Sequence, residues 1–499
     1  MSAVATHAGE RGARRRDLLW VLALVVIAAL ARLPTLAEQS FWLDEAYTEH
    51  LVRMSLGAML HAIPRSESTP PVYYVLAWGW TRVLGHSEFA LRSLSALAGI
   101  LTVPVTYALA LRLAGRRAAV IAGLLLALSP LLIWYSQEAR AYALATLLGT
   151  VSLTCFVAFL DTRRGAWLAV WAAASALGLA THYFVAFVVG PELVWLLWRR
   201  RQDRRVLAAA AAVLAVAAAL VPLALAQRGT GHADYIAQGS LTTRLAQIPK
   251  QFLTGYASPS QLITSVLAAA LCASGAAALL LGSANRERRR AAIPLTVGLA
   301  CVLIPVVLAL LGVDFVNTRN VLPALPPLLV VVAIGFATLA KRTAALALTG
   351  TLAAVLIAVV AIVDTNPRYQ RDDWRGVSDA LGRDLEPRAI VVTPGSGLIA
   401  LGVYQPGLRR LGQARVGEID VVAIPGQVLG GGIGAPPRPR TPAPPAPGFR
   451  LTRTVYGKTY TVLRFTAPQP VPVTAAGLAP AALLPGPVAV LTERPAPLH

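Results

Sequence analysis

Residues 321–363, VLPALPPLLVVVAIGFATLAKRTAALALTGTLAAVLIAVVAIV, decide the fold, because two apolar runs flank the basic pair Lys341 and Arg342. An apolar run of about 20 residues is long enough for a helix to cross the hydrocarbon core of a membrane. Similar runs recur along the 499 residues, of which 56% are hydrophobic and only 14% charged. A soluble domain carries about 25% charged residues, so the sequence predicts an integral membrane protein.

The net charge of +21 does not indicate a nucleic-acid partner here. Most arginines fall in short clusters between apolar runs, where they set the orientation of the chain in the membrane. Cys155, Cys272 and Cys301 all lie inside apolar runs, so we expect no disulfide. The composition also excludes a disordered chain and a disulfide scaffold.

Basic clusters alternate with weakly basic junctions along the apolar runs and predict about eleven transmembrane helices within residues 18–363. By the positive-inside rule, the basic N-terminus at residues 1–17 and every second junction face the cytoplasm. The other junctions, among them the first outer loop at residues 35–90, then face outward from the plasma (inner) membrane. The predicted spans cover residues 18–34, 91–113, 118–135, 143–160, 165–181, 183–198, 206–226, 261–283, 292–312, 321–338 and 343–363.

Two segments allow a second interpretation. Residues 72–85 are apolar but short for crossing about 30 Å, and they contain Arg82. We interpret them as an interfacial or re-entrant helix with its Tyr and Trp rings at headgroup level. The first apolar run also resembles a cleavable signal peptide ending near residues 29–31, and cleavage there leaves the later orientation unchanged.

After residue 363 the composition indicates an extracytoplasmic α/β domain at residues 364–465. RDDWR at residues 371–375 predicts the start of a helix with Asp372 as its N-cap. Residues 389–393 predict a strand.

The rest of this domain is rich in turn-forming residues. A Pro/Gly-rich linker at residues 425–448 precedes a hairpin around Gly457 and Lys458. We expect the Ala/Pro-rich tail at residues 466–499 to be poorly ordered. The predicted fold class is therefore an all-α polytopic membrane protein with a small C-terminal α/β domain.

Two adjacent carboxylates follow the first span, in FWLDEAY at residues 41–47. Neighbouring side chains on a helix point about 100° apart, so Asp44 and Glu45 cannot both address the same atom. One is expected to serve as a base while the other holds a cation or fixes the loop. The alternative is a solvated loop start between aromatic interfacial anchors.

Other candidates lie at the remaining outer junctions. WYSQEARAY at residues 134–142 places an acid and a base close to the hydrocarbon, where charges are costly and usually functional. For residues 134–142 the alternative is a hydrated turn between spans. For His182, Arg92 and Arg319 the alternative is contact with lipid or with the membrane interface. Asp161, Glu192 and Glu287 are expected only to accompany basic clusters. The candidate residues are Tyr74, Arg92, Glu138, Arg140, Tyr142, His182 and Arg319.

The order of these motifs resembles the GT-C superfamily of membrane glycosyltransferases. The similarity is to bacterial relatives of the protein O-mannosyltransferases and to the lipid A aminoarabinose transferase. It rests on LDEA at residues 43–46, PPVYY at 70–74, EFALR at 88–92 and YSQEARAY at 135–142. Many members have a histidine before Pro-Pro, where this chain has Thr69.

The resemblance implies transfer of a sugar from a polyprenyl-phosphate donor to a glycan, lipid or protein acceptor outside the cytoplasm. It gives Asp44 the role of catalytic base and makes Glu45 the second acid of the pair. A sugar phosphate already has a good leaving group, so displacement needs one base and cations around the departing phosphate. Arg92, Arg140 and Arg319 are the candidate cations, with Tyr74, Glu138, Tyr142 and His182 as supporting residues.

Three alternatives stay open at this point. A divalent metal ion could bridge Asp44, Glu45 or Glu138 and the phosphate. A lipid or glycolipid transporter also needs many spans, although transporters place polar residues near the membrane midplane, whereas here they gather at one face. A non-catalytic scaffold with an outer domain is the third. The sequence contains no nucleotide-binding motif of the Walker or dinucleotide type.

Overall fold

The structure, a computed structural model, describes residues 2–382, 387–428 and 432–493. Helices form the first three quarters of the chain and are followed by a mixed α/β domain. The helices of the first part are α1 (Ser2–Leu30), α2 (Leu43–Arg53), α3 (Leu56–Ser66), α4 (Val72–Leu84), α5 (Glu88–Ala114), α6 (Arg116–Leu128), α7 (Pro130–Ser136), α8 (Tyr142–Thr162), α9 (Gly165–Thr181), α10 (Ala186–Arg200), α11 (Arg204–Arg228), α12 (Tyr235–Gln238), α13 (Leu241–Thr254), α14 (Gln261–Gly282), α15 (Asn285–Leu310), α16 (Leu325–Thr338) and α17 (Arg342–Thr365).

Seven helices within the described residues are long and apolar enough to cross a membrane, and α6 with α7 adds an eighth if that bent pair is one span. The chain is therefore a multi-pass membrane protein. Each of the eleven predicted apolar segments overlaps at least one helix, and the segment at 118–135 is divided between α6 and α7. The predicted count of about eleven spans is not confirmed. Two of the segments are short, since α9 has 17 residues and α10 has 15.

The apolar helices pack into one large buried core, in which α5 lies against α6 and α8. Buried threonines on α5 donate to the carbonyl four residues earlier, as Thr102 does to Ala98 at 2.8 Å, so their hydroxyls stay satisfied away from water. A Cβ added at Gly335 of α16 would lie 2.0 Å from the carbonyl oxygen of Gly275 on α14. This pair of glycines therefore permits the close approach of two helices, as small residues do in membranes.

The loop at residues 35–90, predicted to face outward, is largely helical, since α2, α3 and α4 occupy most of residues 43–84. The helix predicted at residues 72–85 is confirmed as α4, with 13 residues. The rings of Tyr73 and Tyr74 are completely buried in a core with α2 and α5. They face protein because the loop folds back onto the start of α5.

The C-terminal domain is built on a six-stranded sheet. Its strand order is β2-β8-β1-β3-β7-β6, with β1 and β3 parallel and the other neighbours antiparallel. The predicted strand at 389–393 and the hairpin around Gly457 and Lys458 are confirmed as β1 and β6–β7. The elements are α18 (Trp374–Leu381), β1 (Arg388–Thr393), α19 (Gly397–Tyr404), β2 (Leu408–Arg410), β3 (Gln413–Ala423), β4 (Gln427–Val428), β5 (Gly432–Ile433), β6 (Arg450–Tyr456), β7 (Thr461–Thr474), α20 (Ala475–Leu478) and β8 (Ala489–Glu493).

Two predictions about this domain need correction. The tail at residues 466–499 is ordered through residue 493, because β7 extends to Thr474 and β8 inserts between β2 and β1. Residues 494–499 lie outside the described residues. The N-cap of α18 is Asp373, whose carboxylate accepts the Gly376 N–H at 2.9 Å, and not Asp372.

The Pro/Gly-rich linker at residues 425–448 is partly paired. It contains the short β4–β5 pair, and residues 429–431 between these strands lie outside the described residues. Thr461 donates to the Pro437 carbonyl at 2.6 Å, which attaches the proline-rich part of the linker to β7.

Candidate active site

A cavity of about 1070 Å³ lies between one end of the helices and the C-terminal domain. In the membrane part its walls come from the start of α2, the end of α3, the α7–α8 junction, the α9–α10 junction, residues 224–237 and residues 312–320. The C-terminal domain adds residues 371–374 and the segment around Ser396. Every predicted outer junction therefore contributes to a single cavity.

The basic junctions lie elsewhere. Among the described residues that line the cavity, none comes from the clusters at 163–164, 199–205, 286–290 or 341–342. Arg140 donates to the Asp44 carbonyl at 3.4 Å, so the two motifs expected to meet do meet. The weakly basic junctions thus lie together at the cavity, and the basic junctions lie away from it.

Asp44 lies in the first turn of α2 and faces the cavity. Its carboxylate accepts a hydrogen bond from Arg319 Nη1 at 2.9 Å, and the two side chains are 23% and 18% exposed. The Arg319 guanidinium also donates to the Tyr235 hydroxyl and lies 5.7 Å from the centre of the Tyr142 ring. Its Nε is buried without a hydrogen-bond partner among the described residues. The ion pair is therefore only partly saturated and open to a ligand.

Glu45 points the other way and forms a closed pair with Arg92, 2.6 Å apart. Both side chains are almost completely buried, and neither lines the cavity. Glu45 also accepts the Ala139 N–H at 2.9 Å. The expectations that Glu45 is catalytic and that Arg92 binds the donor phosphate do not fit this geometry, because the one-residue step along α2 turns Glu45 into the protein interior.

Arg140 lines the cavity and pairs with Glu67 at 3.0 Å. The Tyr74 hydroxyl donates to the same Glu67 oxygen at 2.5 Å. Tyr74 does not reach the cavity, so its supporting role is indirect: it orients the partner of Arg140. The sequence interpretation missed Glu67, which lies in a Ser-rich turn without a distinctive spacing.

Glu138 lines the cavity next to Arg371, at 3.4 Å. Burial raises the pKa of the Glu138 carboxyl to about 7, although the charge of Arg371 opposes the shift. Burial likewise raises the pKa of Asp372, another lining residue, to about 6. The RDDWR motif carries the charged residues of this part of the site, but its sequence pattern predicts the start of a helix and does not mark Arg371 or Asp372 as cavity residues.

His182 and Tyr142 form an aromatic wall, with ring centres 5.3 Å apart. Burial, together with the charges of Arg319 and Arg140, lowers the pKa of His182 to about 3. The imidazole is therefore neutral at physiological pH. Its Nδ1 accepts the Phe184 N–H at 3.3 Å, which fixes the ring orientation.

The acids do not form a metal-binding cluster. Asp44, Glu45 and Glu138 each pair with a different arginine, and no group of three His, Cys, Asp or Glu side chains in the described part of the chain is arranged for a metal ion. Glu45 is turned away from the cavity, so of the three acids named for a bridging divalent ion only Asp44 and Glu138 line the cavity.

Glu192 differs from the expectation that it accompanies a basic cluster. It is buried among α8, α9 and α10 and accepts hydrogen bonds from Ser152 at 2.5 Å and Trp171 at 2.8 Å. It therefore links three helices inside the bundle.

The fold and the cavity together define a multi-pass membrane protein with a charged cavity at one end of its helices. Residues 68–225 match the family model described as dolichyl-phosphate-mannose-protein mannosyltransferase. This match confirms the resemblance to the GT-C superfamily of membrane glycosyltransferases. A comparison with curated protein sequences finds no match.

Solved structures of three membrane glycosyltransferases align with part of the chain. ArnT from Cupriavidus metallidurans, bound to undecaprenyl phosphate, is 17% identical with a TM-score of 0.45 over 65% of this chain and 61% of ArnT. AglB from Archaeoglobus fulgidus, an archaeal oligosaccharyltransferase in complex with an inhibitory peptide and a dolichol-phosphate, is 14% identical with a TM-score of 0.44 over 70% and 56%. Arabinosyltransferase EmbB from Mycobacterium smegmatis is 13% identical with a TM-score of 0.43 over 76% and 44%. The alignment thus spans 61% or less of each of these proteins.

Proposed function

We propose that this protein transfers a sugar from a polyprenyl-phosphate donor to an acceptor on the extracytoplasmic side of the plasma (inner) membrane. The observation that carries the proposal is the single cavity in which the Asp44 carboxylate faces Arg319, while Arg140, also on the cavity wall, donates to the Asp44 backbone carbonyl. The family description, which names a dolichyl-phosphate sugar as donor, supports the same donor class.

In the proposed reaction, Asp44 accepts the proton of an acceptor hydroxyl as its oxygen attacks the anomeric carbon. The bond from that carbon to the phosphate oxygen breaks, and the polyprenyl phosphate leaves with the electron pair. Arg140 and Arg319 stabilise the charge on the departing phosphate. A single displacement of this kind inverts the anomeric configuration.

Glu45 and Arg92 take a positioning role in this scheme. Their buried pair fixes the start of α2, and the adjacent Asp44 then projects into the cavity. The side of the membrane follows from charge, because the basic clusters at the opposite junctions favour the cytoplasm.

The test is a transfer assay with the full chain in proteoliposomes. Radiolabelled mannose, arabinose and aminosugar donors on undecaprenyl phosphate are supplied with a cell-envelope extract as acceptor. The proposal predicts labelled product together with release of undecaprenyl phosphate from one donor. Movement of intact donor between leaflets without cleavage would instead identify a transporter.

A second readout needs no prior choice of sugar. Mass spectrometry of cells lacking the protein should show one carrier-linked sugar accumulating and its product missing from the envelope. Unchanged lipid-linked sugars and envelope glycans would contradict the proposal.

A further inference from the structure

Arg371 lines the cavity and follows α17 in the chain. Among the described residues, the other arginines that line the cavity all precede α17. Its side chain is only 2% exposed. The guanidinium lies 4.2 Å from the centre of the Trp134 ring, and its Nη2 donates to the Trp134 carbonyl at 3.1 Å. A buried cation thus lies over an aromatic ring at the cavity wall.

The chain also fixes the backbone of this segment. The Arg371 N–H donates to Gln39 Oε1 at 2.9 Å. Ser40 donates to the Asp372 carbonyl at 2.7 Å and accepts the Trp374 N–H at 2.9 Å. The start of the C-terminal domain is therefore tied to the loop just before α2, which carries Asp44.

Arg92 and Arg371 are both buried, but their guanidinium groups differ in how many hydrogen bonds they make. Arg92 makes short bonds to both Glu45 oxygens, at 2.7 and 2.6 Å, and three more to backbone carbonyls. Arg371 contacts Glu138 only at 3.4 Å and Gln39 at 3.5 Å, and its Nε has no partner among the described residues. One oxygen of Glu138 is unpartnered in the same way. A buried charge with unused donors beside a large cavity is arranged for an anionic ligand.

We propose that Arg371 binds the phosphate of the polyprenyl-phosphate donor and exchanges Glu138 for that phosphate when the donor enters the cavity. This inference rests on the proposed function, because it assumes that donor class. It gives the C-terminal domain a direct part in the site: RDDWR completes a phosphate-binding surface that the membrane helices begin with Arg140 and Arg319.

The exchange predicts opposite effects for the two partners. Arg371→Gln removes a phosphate donor group and should weaken undecaprenyl phosphate binding by about tenfold or more. Glu138→Gln removes the competing carboxylate and should strengthen binding by a fewfold. If Arg371 and Glu138 only stabilised the fold, both variants would change the unfolding temperature and neither would change the affinity for undecaprenyl phosphate.

The experiment measures binding of undecaprenyl phosphate to the full chain in nanodiscs, with thermal unfolding of each variant recorded in parallel. Arg375→Gln is the matched control, because Arg375 lies four residues later, donates to the Glu38 carbonyl at 2.7 Å and does not line the cavity. We expect Arg375→Gln to bind like the wild type and Arg371→Lys to recover only part of the affinity, since lysine lacks the planar fork.

The outcomes separate the two proposals. No binding of undecaprenyl phosphate by the wild-type protein would contradict the proposed donor class itself. Wild-type binding with unchanged affinity in a folded Arg371→Gln variant would overturn the role of Arg371 alone. Weaker binding by Glu138→Gln than by the wild type would overturn the exchange.

Discussion

Asp44 and Glu45 are neighbours in sequence, yet their environments are opposite. Glu45 and Arg92 form a closed pair with exposures of 0% and 1%, whereas Asp44 and Arg319 form an open pair with exposures of 23% and 18%. A helix turns about 100° per residue, so the Asp44 carboxylate faces the cavity while the Glu45 carboxylate enters the core. Two adjacent acids on one helical turn can therefore have different roles: Glu45 stabilises the fold, and Asp44 is available to a ligand.

The closed pair is tied into the backbone around it. Arg92 donates to the carbonyls of Leu36, Gln39 and Ser40, which lie just before α2. It therefore fixes the first loop against α5. Within the described part of the chain, the side chains of Asp44 and Arg319 make no such set of bonds to the backbone, which leaves their charges available to a ligand.

The largest stability effect is expected when the closed pair is broken. Arg92→Gln leaves Glu45 buried without its cation, and loss of one partner of a buried pair costs about 3–5 kcal/mol. Thermal unfolding in detergent should show a large fall in the midpoint and less protein in the membrane.

Arg319→Gln is the comparison variant, because the Asp44–Arg319 pair is partly exposed to the cavity. We expect a much smaller fall in its unfolding midpoint. Equal destabilisation by Arg92→Gln and Arg319→Gln would remove the distinction between a structural and a chemical pair.

A smaller effect is expected from pH, through Glu138 in the cavity. Burial raises the pKa of the Glu138 carboxyl from 4.5 to about 7, so the folded protein favours the protonated form. The resulting contribution to the free energy of unfolding is fully present below pH 4.5 and is lost as the pH rises through 7. Between pH 6.5 and 8 the wild-type protein should lose about 1 kcal/mol of stability that Glu138→Gln retains.

This window isolates Glu138 from its neighbours. His182, with a pKa lowered to about 3, is already neutral there, and Asp372, with a pKa of about 6, is mostly ionised. Unfolding midpoints measured at several pH values provide the test. Parallel pH curves for the wild type and Glu138→Gln would show that this carboxyl does not titrate in the window.

Hydropathy predicted the helices, and the alternation of basic and weakly basic junctions predicted which junctions meet at the cavity. Both properties are local in sequence. They could not predict which acid of the pair faces the cavity, since that depends on how α2 docks against α5. Arg371 was also missed: it reaches Trp134 and Gln39 through contacts across more than 200 residues. The strand β8 lacks a local signal because alanine and proline surround it, and its pairing with β1 and β2 defines it.

The most direct test of the central claim is the rate of sugar transfer by Asp44→Asn. Asp17→Asn is the matched control, since Asp17 is 24% exposed, pairs with Arg116 and does not line the cavity. With both variants as abundant as the wild type, we predict that Asp44→Asn lowers the rate about a hundredfold or more and that Asp17→Asn leaves it unchanged. Transfer by Asp44→Asn at the wild-type rate would contradict the account.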